Sequence, residues 1–281
     1  MLPLLMVFLT INKILILGPV TNEALEKLSI TKMEIHQASN FIMSITDWLQ
    51  DHGPSVKYVM TNGHDGLSGS YMDYLPNLSL ISCNGVGYDG IDVSRAIQRQ
   101  VLITHTPNVL NAETSTTAIL LMLACYRNFR SCEFHARSGL WETQGSHPLT
   151  RAADNRNVGI LGMGRIGQAI ALKAQAFGAT IQYHSRRKIP ELPYRYYENL
   201  VDMARDVDCL ICIVPGGPET KHLVNKEVIN ALGPQGVLIN VARGCVVDET
   251  ELIEALNEKR LGWAGLDVFE NEPYIPMELR S

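Results

Sequence analysis

The stretch from Asn157 to Ala171 constrains the fold more than any other. A short apolar run, Val158 to Leu161, meets three glycines at Gly162, Gly164 and Gly167, and a helix-like pattern then runs from Arg165 to Phe177. A second apolar run follows at Thr180 to His184. Each glycine has a task in such a strand–turn–helix. Gly162 permits the tight turn, Gly164 lets the main chain come close to a pyrophosphate, and Gly167 lets the helix pack against the sheet. The unpaired N–H groups and the dipole at the helix start favour the same anion. Glycines at this spacing are weak evidence alone. With a strand before, a helix after and a second strand beyond, they read as a dinucleotide-binding turn.

The residues after that second strand bear on which dinucleotide. The chain runs His184, Ser185, Arg186, Arg187, Lys188, with no Asp or Glu to accept hydrogen bonds from the adenosine ribose. Arg186 and Arg187 stand where a 2′-phosphate would lie, and a guanidinium suits a phosphate well. The expectation is NADP(H) in preference to NAD(H). The competing reading is a solvated basic turn.

Short apolar runs alternate with helical patterns along the rest of the chain. Lys13 to Gly18, Met33 to His36, Val56 to Met60 and Leu78 to Cys83 read as strands. Thr21 to Leu28, with Thr21 as cap, and Phe41 to Gln50 read as helices. Ala112 to Asn128 is a long, mostly apolar helix, followed by a looser stretch from Ser131 to Asn157 with Gly139, Gly145 and Pro148. A second alternating series begins at Val158. The pattern predicts two doubly wound parallel-sheet α/β domains, 1–105 and 106–281, with a cleft expected at the loose region.

Composition excludes several classes. Hydrophobic residues make up 46% of the 281 and charged residues 19%, so the chain is not broadly disordered. The net charge of -5 offers no basic field for a phosphate backbone, which argues against nucleic acid. Met1 to Ile11 is apolar, but it lacks a positive leading segment and a small-residue cleavage site, and it is too short to span a bilayer. It reads as sequence upstream of the first strand, in a cytoplasmic protein with no membrane partner. The six cysteines lie mostly in apolar runs and read as reduced thiols. Cys209 and Cys212 form a C-x-x-C, but on an apparent strand, Asp208 to Val214, they point to opposite faces, so no metal site is expected.

Five segments in order resemble the D-isomer-specific 2-hydroxyacid dehydrogenase family, most nearly its NADP-dependent glyoxylate/hydroxypyruvate reductases. They are Asn84 to Asp92, the Gly162 to Gly167 turn, Val214 to Thr220, Asn240 to Gly244 and Gly265 to Pro273. The resemblance spans nearly the whole chain. It implies a flavodoxin-like substrate domain, a Rossmann cofactor domain, and hydride transfer from a nicotinamide to a small 2-keto acid. It implies that Arg243 clamps the substrate carboxylate and polarises the ketone, and that the N–H groups of Asn84, Gly85, Val86 and Gly87 hold the carboxylate. Glycine there lets the main chain approach a small anion. It further implies cofactor contacts at Gly162, Gly164, Arg165, Ile166, Gly167, Ser185, Arg186, Arg187, Val214, Pro215, Thr220, Val241, Ala242 and Asp267. Glu272 matches the glutamate that pairs with the family's catalytic histidine and favours its protonated form. The bland alternatives are a surface arginine, an ordinary turn and a solvated acidic loop.

Two departures stand out. Thr116 replaces the family's usual acidic residue in the long helix. The family also places its catalytic histidine, a last strand and a returning helix after the Glu-Pro segment, whereas this sequence stops at Ser281 and none of its eight histidines follows Glu272. The expectation is therefore a chain lacking its C-terminal part. If it is the whole product, turnover should fall by the roughly 10²–10⁴-fold typical of a lost general acid. His64, in the loop Asn62 to Gly66, is read as a loop histidine. The long helix from Ala112 and Trp141 are the resemblance's homodimer face, with a buried intrasubunit helix as the alternative. The other functional alternatives are a non-catalytic dinucleotide sensor or partner-binding protein on the same fold, and a dehydrogenase for a larger 2-keto acid.

Overall fold

Apolar runs that alternate with capped helices build two parallel sheets, and the computed structural model describes residues 12–280. The apolar stretch Met1 to Ile11 and the final Ser281 lie outside the described residues. The backbone divides between Val109 and Leu110, a little past the change of sequence pattern at 105/106.

The first unit contains β1 (Lys13–Ile16), α1 (Asn22–Ser29), β2 (Glu34–Gln37), α2 (Ile45–His52), β3 (Val56–Thr61), α3 (Gly69–Asp73), β4 (Leu80–Cys83), α4 (Val93–Gln98) and β5 (Leu102–Thr104). Its sheet is all parallel in the order β2-β1-β3-β4-β5, the flavodoxin-like order. Side chains such as Leu15, Val59, Leu67, Met72 and Ile81 close its core. Thr21 caps α1 as its sequence suggests, its Oγ1 accepting the Ala24 N–H at 3.3 Å. α2 begins later than the apolar pattern from Phe41 indicates, because Ser44 takes the cap and accepts the Asp47 N–H.

The second unit contains α5 (Asn111–Tyr126), α6 (Phe129–Arg137), α7 (Leu140–Gln144), β6 (Asn157–Leu161), α8 (Arg165–Gln175), β7 (Thr180–His184), β8 (Arg195–Tyr197), α9 (Leu200–Asp206), β9 (Cys209–Cys212), α10 (Lys226–Leu232), β10 (Val237–Asn240), α11 (Glu249–Asn257) and β11 (Trp263–Leu266). Its parallel strands lie in the order β11-β10-β9-β6-β7-β8. Numbered from β6, this is the six-stranded Rossmann order with its reversal between β6 and β9.

The central strands are buried on both faces, so their side chains divide by alternation. Cys209 and Ile211 of β9 enter one apolar cluster with Val158 and Ile239, while Leu210 and Cys212 enter the other with Leu238 and Val246. The two thiols of the C-x-x-C thus face opposite sides of the sheet. Burial pushes Cys212 up to about 12 and Cys209 well above the ordinary thiol range. All six cysteines are free.

α5 packs along α8 and across β10 and β11, burying Ala118, Ile119, Met122 and Tyr126. At Thr116 the hydroxyl accepts from the Lys173 ammonium, which also donates to the Ala112 carbonyl at 2.7 Å. The lysine therefore finds an acceptor there without an acid. The stretch read as loose, Ser131 to Asn157, instead holds α7 and most of α6. Gly139 (φ +74°) and Gly145 (φ +79°) take left-handed backbone at the two ends of α7, so the glycines punctuate helices and do not abolish them. Among the described residues no helix is long and apolar enough to cross a membrane.

Candidate active site

The carboxyl ends of β6, β7, β9, β10 and β11 carry the loops that hold the sequence-selected residues of the second unit. At the end of β6, Gly162 has φ +105°, and a Cβ on it would stand 2.9 Å from the Ile213 carbonyl oxygen. A Cβ on Gly167 would stand 2.1 Å from the Gly162 carbonyl oxygen, so α8 reaches this depth against the turn only with glycine. Gly164 differs. It is the extended N-cap of α8, no side chain caps that helix, and a Cβ there would meet nothing within 4 Å. The helix start after Gly164 therefore has no capping side chain and has room in front of its main chain, as an anion such as a dinucleotide pyrophosphate requires.

Neighbouring strands bring more residues to this turn. β6 pairs with β7 so that Leu161 faces His184, and the Gly162 N–H donates to the His184 carbonyl at 2.9 Å. Ser185, Arg186 and Arg187 follow directly. Ser185 Oγ donates to the Arg187 carbonyl at 2.7 Å, and both guanidinium-bearing residues are exposed. On the other side, the Ile213 N–H donates to the Leu161 carbonyl at 2.9 Å, which sets Val214 beside Gly162, with Pro215 next in the chain. Thr220 folds this loop back, its Oγ1 donating to the Pro215 carbonyl at 2.7 Å.

Arg243 follows β10, and its main chain is fixed by a buried amide. Asn240, 1% exposed, accepts the Ala242 N–H on Oδ1 at 3.1 Å and donates from Nδ2 to the Arg243 carbonyl at 2.9 Å. Replacement of Asn240 by alanine takes the acceptor from the buried Ala242 N–H and leaves the Arg243 carbonyl with the Val246 N–H at 3.1 Å alone, and it should cost about 1–3 kcal/mol of stability, read as a lowered urea midpoint. The loop after β11 lies directly against this one. The Asp267 N–H donates to the Asn240 carbonyl at 3.0 Å, and a Cβ on Gly244 would fall 1.9 Å from the Phe269 carbonyl carbon. Glu272 is held by the Phe269 N–H, which donates to its Oε1 at 2.9 Å. Val241, Ala242, Arg243, Asp267 and Glu272 thus occupy two interlocked loops at adjacent strand ends.

His222 is a tie that sequence reasoning did not single out. Its backbone N–H donates to the Cys245 carbonyl at 2.7 Å and its Nε2 meets Glu270 Oε1 at 2.7 Å, while Nδ1 lies 3.8 Å from Asp248 Oδ2. It therefore joins the loop after β9 to the loops after β10 and β11. Its sequence neighbourhood carries no signal for this, since Glu270 is a distant residue of the chain.

The remaining candidates belong to the first unit. The Asn84 N–H donates to the Thr61 carbonyl at 2.7 Å and the Gly85 N–H to the Cys83 carbonyl at 3.1 Å, which starts the loop after β4. His64 sits in a turn organised by Asn62, whose Oδ1 accepts the N–H groups of His64 and Asp65, both at 2.8 Å. Among the described residues no group of three or more His, Cys, Asp or Glu is placed to hold a metal ion.

Comparison with known proteins points one way. The model of the D-isomer specific 2-hydroxyacid dehydrogenase NAD binding domain matches residues 119–281, and that of the same family's catalytic domain matches residues 14–183. The chain is similar to glyoxylate/hydroxypyruvate reductase A of Arabidopsis thaliana, 44% identical over 231 residues, or 82% of this chain and 74% of the relative. It is equally similar to hydroxyphenylpyruvate reductase of Plectranthus scutellarioides, 44% identical over 233 residues, covering 83% and 74%. Among solved structures it superposes, with a TM-score of 0.87 and 41% identity, on an NADPH-dependent glyoxylate/hydroxypyruvate reductase from Sinorhizobium meliloti in complex with NADP and malonate. That match covers 96% of this chain and 83% of the other.

Proposed function

The chain belongs to the D-isomer specific 2-hydroxyacid dehydrogenase family, and from that premise we propose that it reduces a small 2-keto acid, glyoxylate or hydroxypyruvate, to the D-2-hydroxy acid with NADPH. The observation that carries this reading is the interlocked pair of loops at the ends of β10 and β11. It presents Arg243, Asp267 and Glu272 at the end of the sheet that also carries the glycine turn.

When bound, the reduced nicotinamide supplies the hydride, which goes to the carbonyl carbon. The residues that would hold this cofactor are Gly164, Arg165, Ile166, Gly167, Ser185, Arg186, Arg187, Val214, Pro215 and Thr220, with Val241, Ala242 and Asp267 on the nicotinamide side. Arg243 carries a planar fork of guanidinium donors. It clamps the substrate carboxylate and stabilises the negative charge that grows on the ketone oxygen as the hydride arrives. Within the first unit, Val86 and Gly87, after Asn84 and Gly85, offer main-chain donors suited to a small carboxylate. Glu272 is a carboxylate that would favour the protonated form of a neighbouring acid; no histidine of this sequence follows it, and the proton that neutralises the alkoxide is drawn from solvent water.

We read the protein as a cytoplasmic homodimer whose contact face includes the exposed apolar residues Leu120, Phe129, Phe134 and Trp141. Free thiols throughout agree with a reducing compartment.

The test is NADPH oxidation by the purified protein across a series of 2-keto acids of increasing size, beside a fluorescence titration of NADPH binding. Faster oxidation with glyoxylate and hydroxypyruvate than with larger acids is expected. A maximum at hydroxyphenylpyruvate would favour a wider pocket, a second reading that the relative from Plectranthus supports. NADPH binding with no oxidation by any 2-keto acid would overturn the catalytic reading in favour of a dinucleotide sensor.

A further inference from the structure

We propose that His105 is a positioning residue that aims the carboxylate-binding amides of the loop after β4. The proposal rests on the reading of that loop given above and names what sets its geometry. In a trans peptide the C=O of one residue and the N–H of the next point in opposite directions. A donor that captures a carbonyl from one side therefore turns the following amide to the other. Two successive carbonyls here are captured by residues just after β5. The Thr106 N–H donates to the Gly85 carbonyl at 2.9 Å, which turns the Val86 N–H away from β5. His105 Nδ1 lies 3.1 Å from the Val86 carbonyl oxygen, which turns the Gly87 N–H the same way. The Cys83 thiol adds a weaker contact to the Gly87 carbonyl at 3.4 Å. Both peptides are trans. Two neighbouring N–H groups on one side of a loop form a concave anion site, and a carboxylate with two oxygens matches it.

Of the two captures, only that of Val86 depends on a side chain. The carbonyl accepts and has no proton to give, so the ring must carry its proton on Nδ1. The His105 ring is half-buried and held from the side by Tyr88, whose ring meets it edge-on with centroids 5.0 Å apart. This contact fixes the imidazole so that Nδ1 stays on the carbonyl. Removal of the donor frees the Val86–Gly87 peptide to rotate, and the Gly87 amide then spends part of its time turned from the substrate. The loss falls on substrate binding and leaves the dinucleotide turn untouched.

The experiment compares the intact protein with His105→Phe, His105→Leu and His105→Asn. It measures kcat and KM for glyoxylate at saturating NADPH, the Kd of NADPH, and the binding of oxamate to the NADPH-loaded protein. Asn is informative because its Nδ2 stands close to the place of the imidazole Nδ1 and can still donate. The Phe and Leu variants should raise the glyoxylate KM and the oxamate Kd about tenfold, the worth of one hydrogen bond held in place. Their kcat and NADPH affinity should stay within about twofold, and Asn should recover most of the loss. An unchanged KM in the donorless variants, a fall in kcat at constant KM, or an Asn variant as weak as Leu would overturn the proposal. If one donorless variant fails to fold, the other carries the comparison. Wild-type protein that binds NADPH but neither oxamate nor glyoxylate would overturn the carboxylate-loop reading itself, and the two failures are thereby distinct.

Discussion

Arg243→Lys should lower kcat/KM for glyoxylate by about 10²–10³-fold while NADPH binding stays within about twofold. The argument turns on what lysine keeps and what it loses. The charge survives, so a long-range attraction for the 2-keto acid remains. The planar fork does not, and a point charge cannot meet a carboxylate and a ketone oxygen together in fixed directions. The main chain at this position should not move, because the Arg243 carbonyl accepts from Asn240 Nδ2 at 2.9 Å and from the Val246 N–H at 3.1 Å, bonds independent of the side chain. The guanidinium also donates from Nη1 to the Ala242 carbonyl at 2.8 Å, so stability should fall by no more than about 0.5–1.5 kcal/mol, the worth of one hydrogen bond, and the loss of activity should appear mostly in kcat, where charge on the ketone oxygen is greatest. Steady-state kinetics with glyoxylate, beside a cofactor titration, decide it. A loss of less than about threefold would mean that Arg243 is a surface arginine in a turn.

The parts of this site that were legible in the sequence are those where backbone geometry admits only one residue type. Gly162 and Gly167 are readable because a Cβ would strike backbone atoms that no side-chain adjustment can move. The central strands are readable because burial on both faces demands continuous apolar runs, as in Cys209 to Cys212. By contrast β5 and β8 escape notice. Each is three residues long at a sheet edge, and β8 reads Arg-Tyr-Tyr with its arginine exposed. The helices α6 and α7 escape because Gly139 and Gly145 resemble loop composition until their left-handed φ angles show them at the ends of a helix. The ties at His222 and His105 were not readable at all. Their partners, Glu270 and the Val86 carbonyl, lie 48 and 19 residues away, and only the completed sheets bring them within reach.

Removing both arginines after β7 should collapse the preference between the two nicotinamide dinucleotides. The parallel pairing of β6 and β7 sets His184 against Leu161, and the Gly162 N–H bonds the His184 carbonyl, so Ser185 to Arg187 must emerge beside the glycine turn. No carboxylate occurs from His184 to Pro190, so nothing in that segment repels a 2′-phosphate or accepts from a free 2′-hydroxyl. Arg186 and Arg187 are exposed, and screening weakens each contact below that of a buried pair. Even so, a hydrogen bond to a charged group is worth about 1.5–3 kcal/mol, and two such losses combined with partial screening come to roughly 10²-fold in the NADPH KM. The double variant Arg186→Ala, Arg187→Ala should show that rise with NADH changed by less than about threefold, and its NADPH affinity should depend less steeply on salt than that of wild type. Ser185→Asp on the same background should then improve NADH, because a carboxylate there accepts from the ribose hydroxyls while repelling a phosphate. An NADPH/NADH ratio that the double variant leaves unchanged would assign the two arginines to solvent.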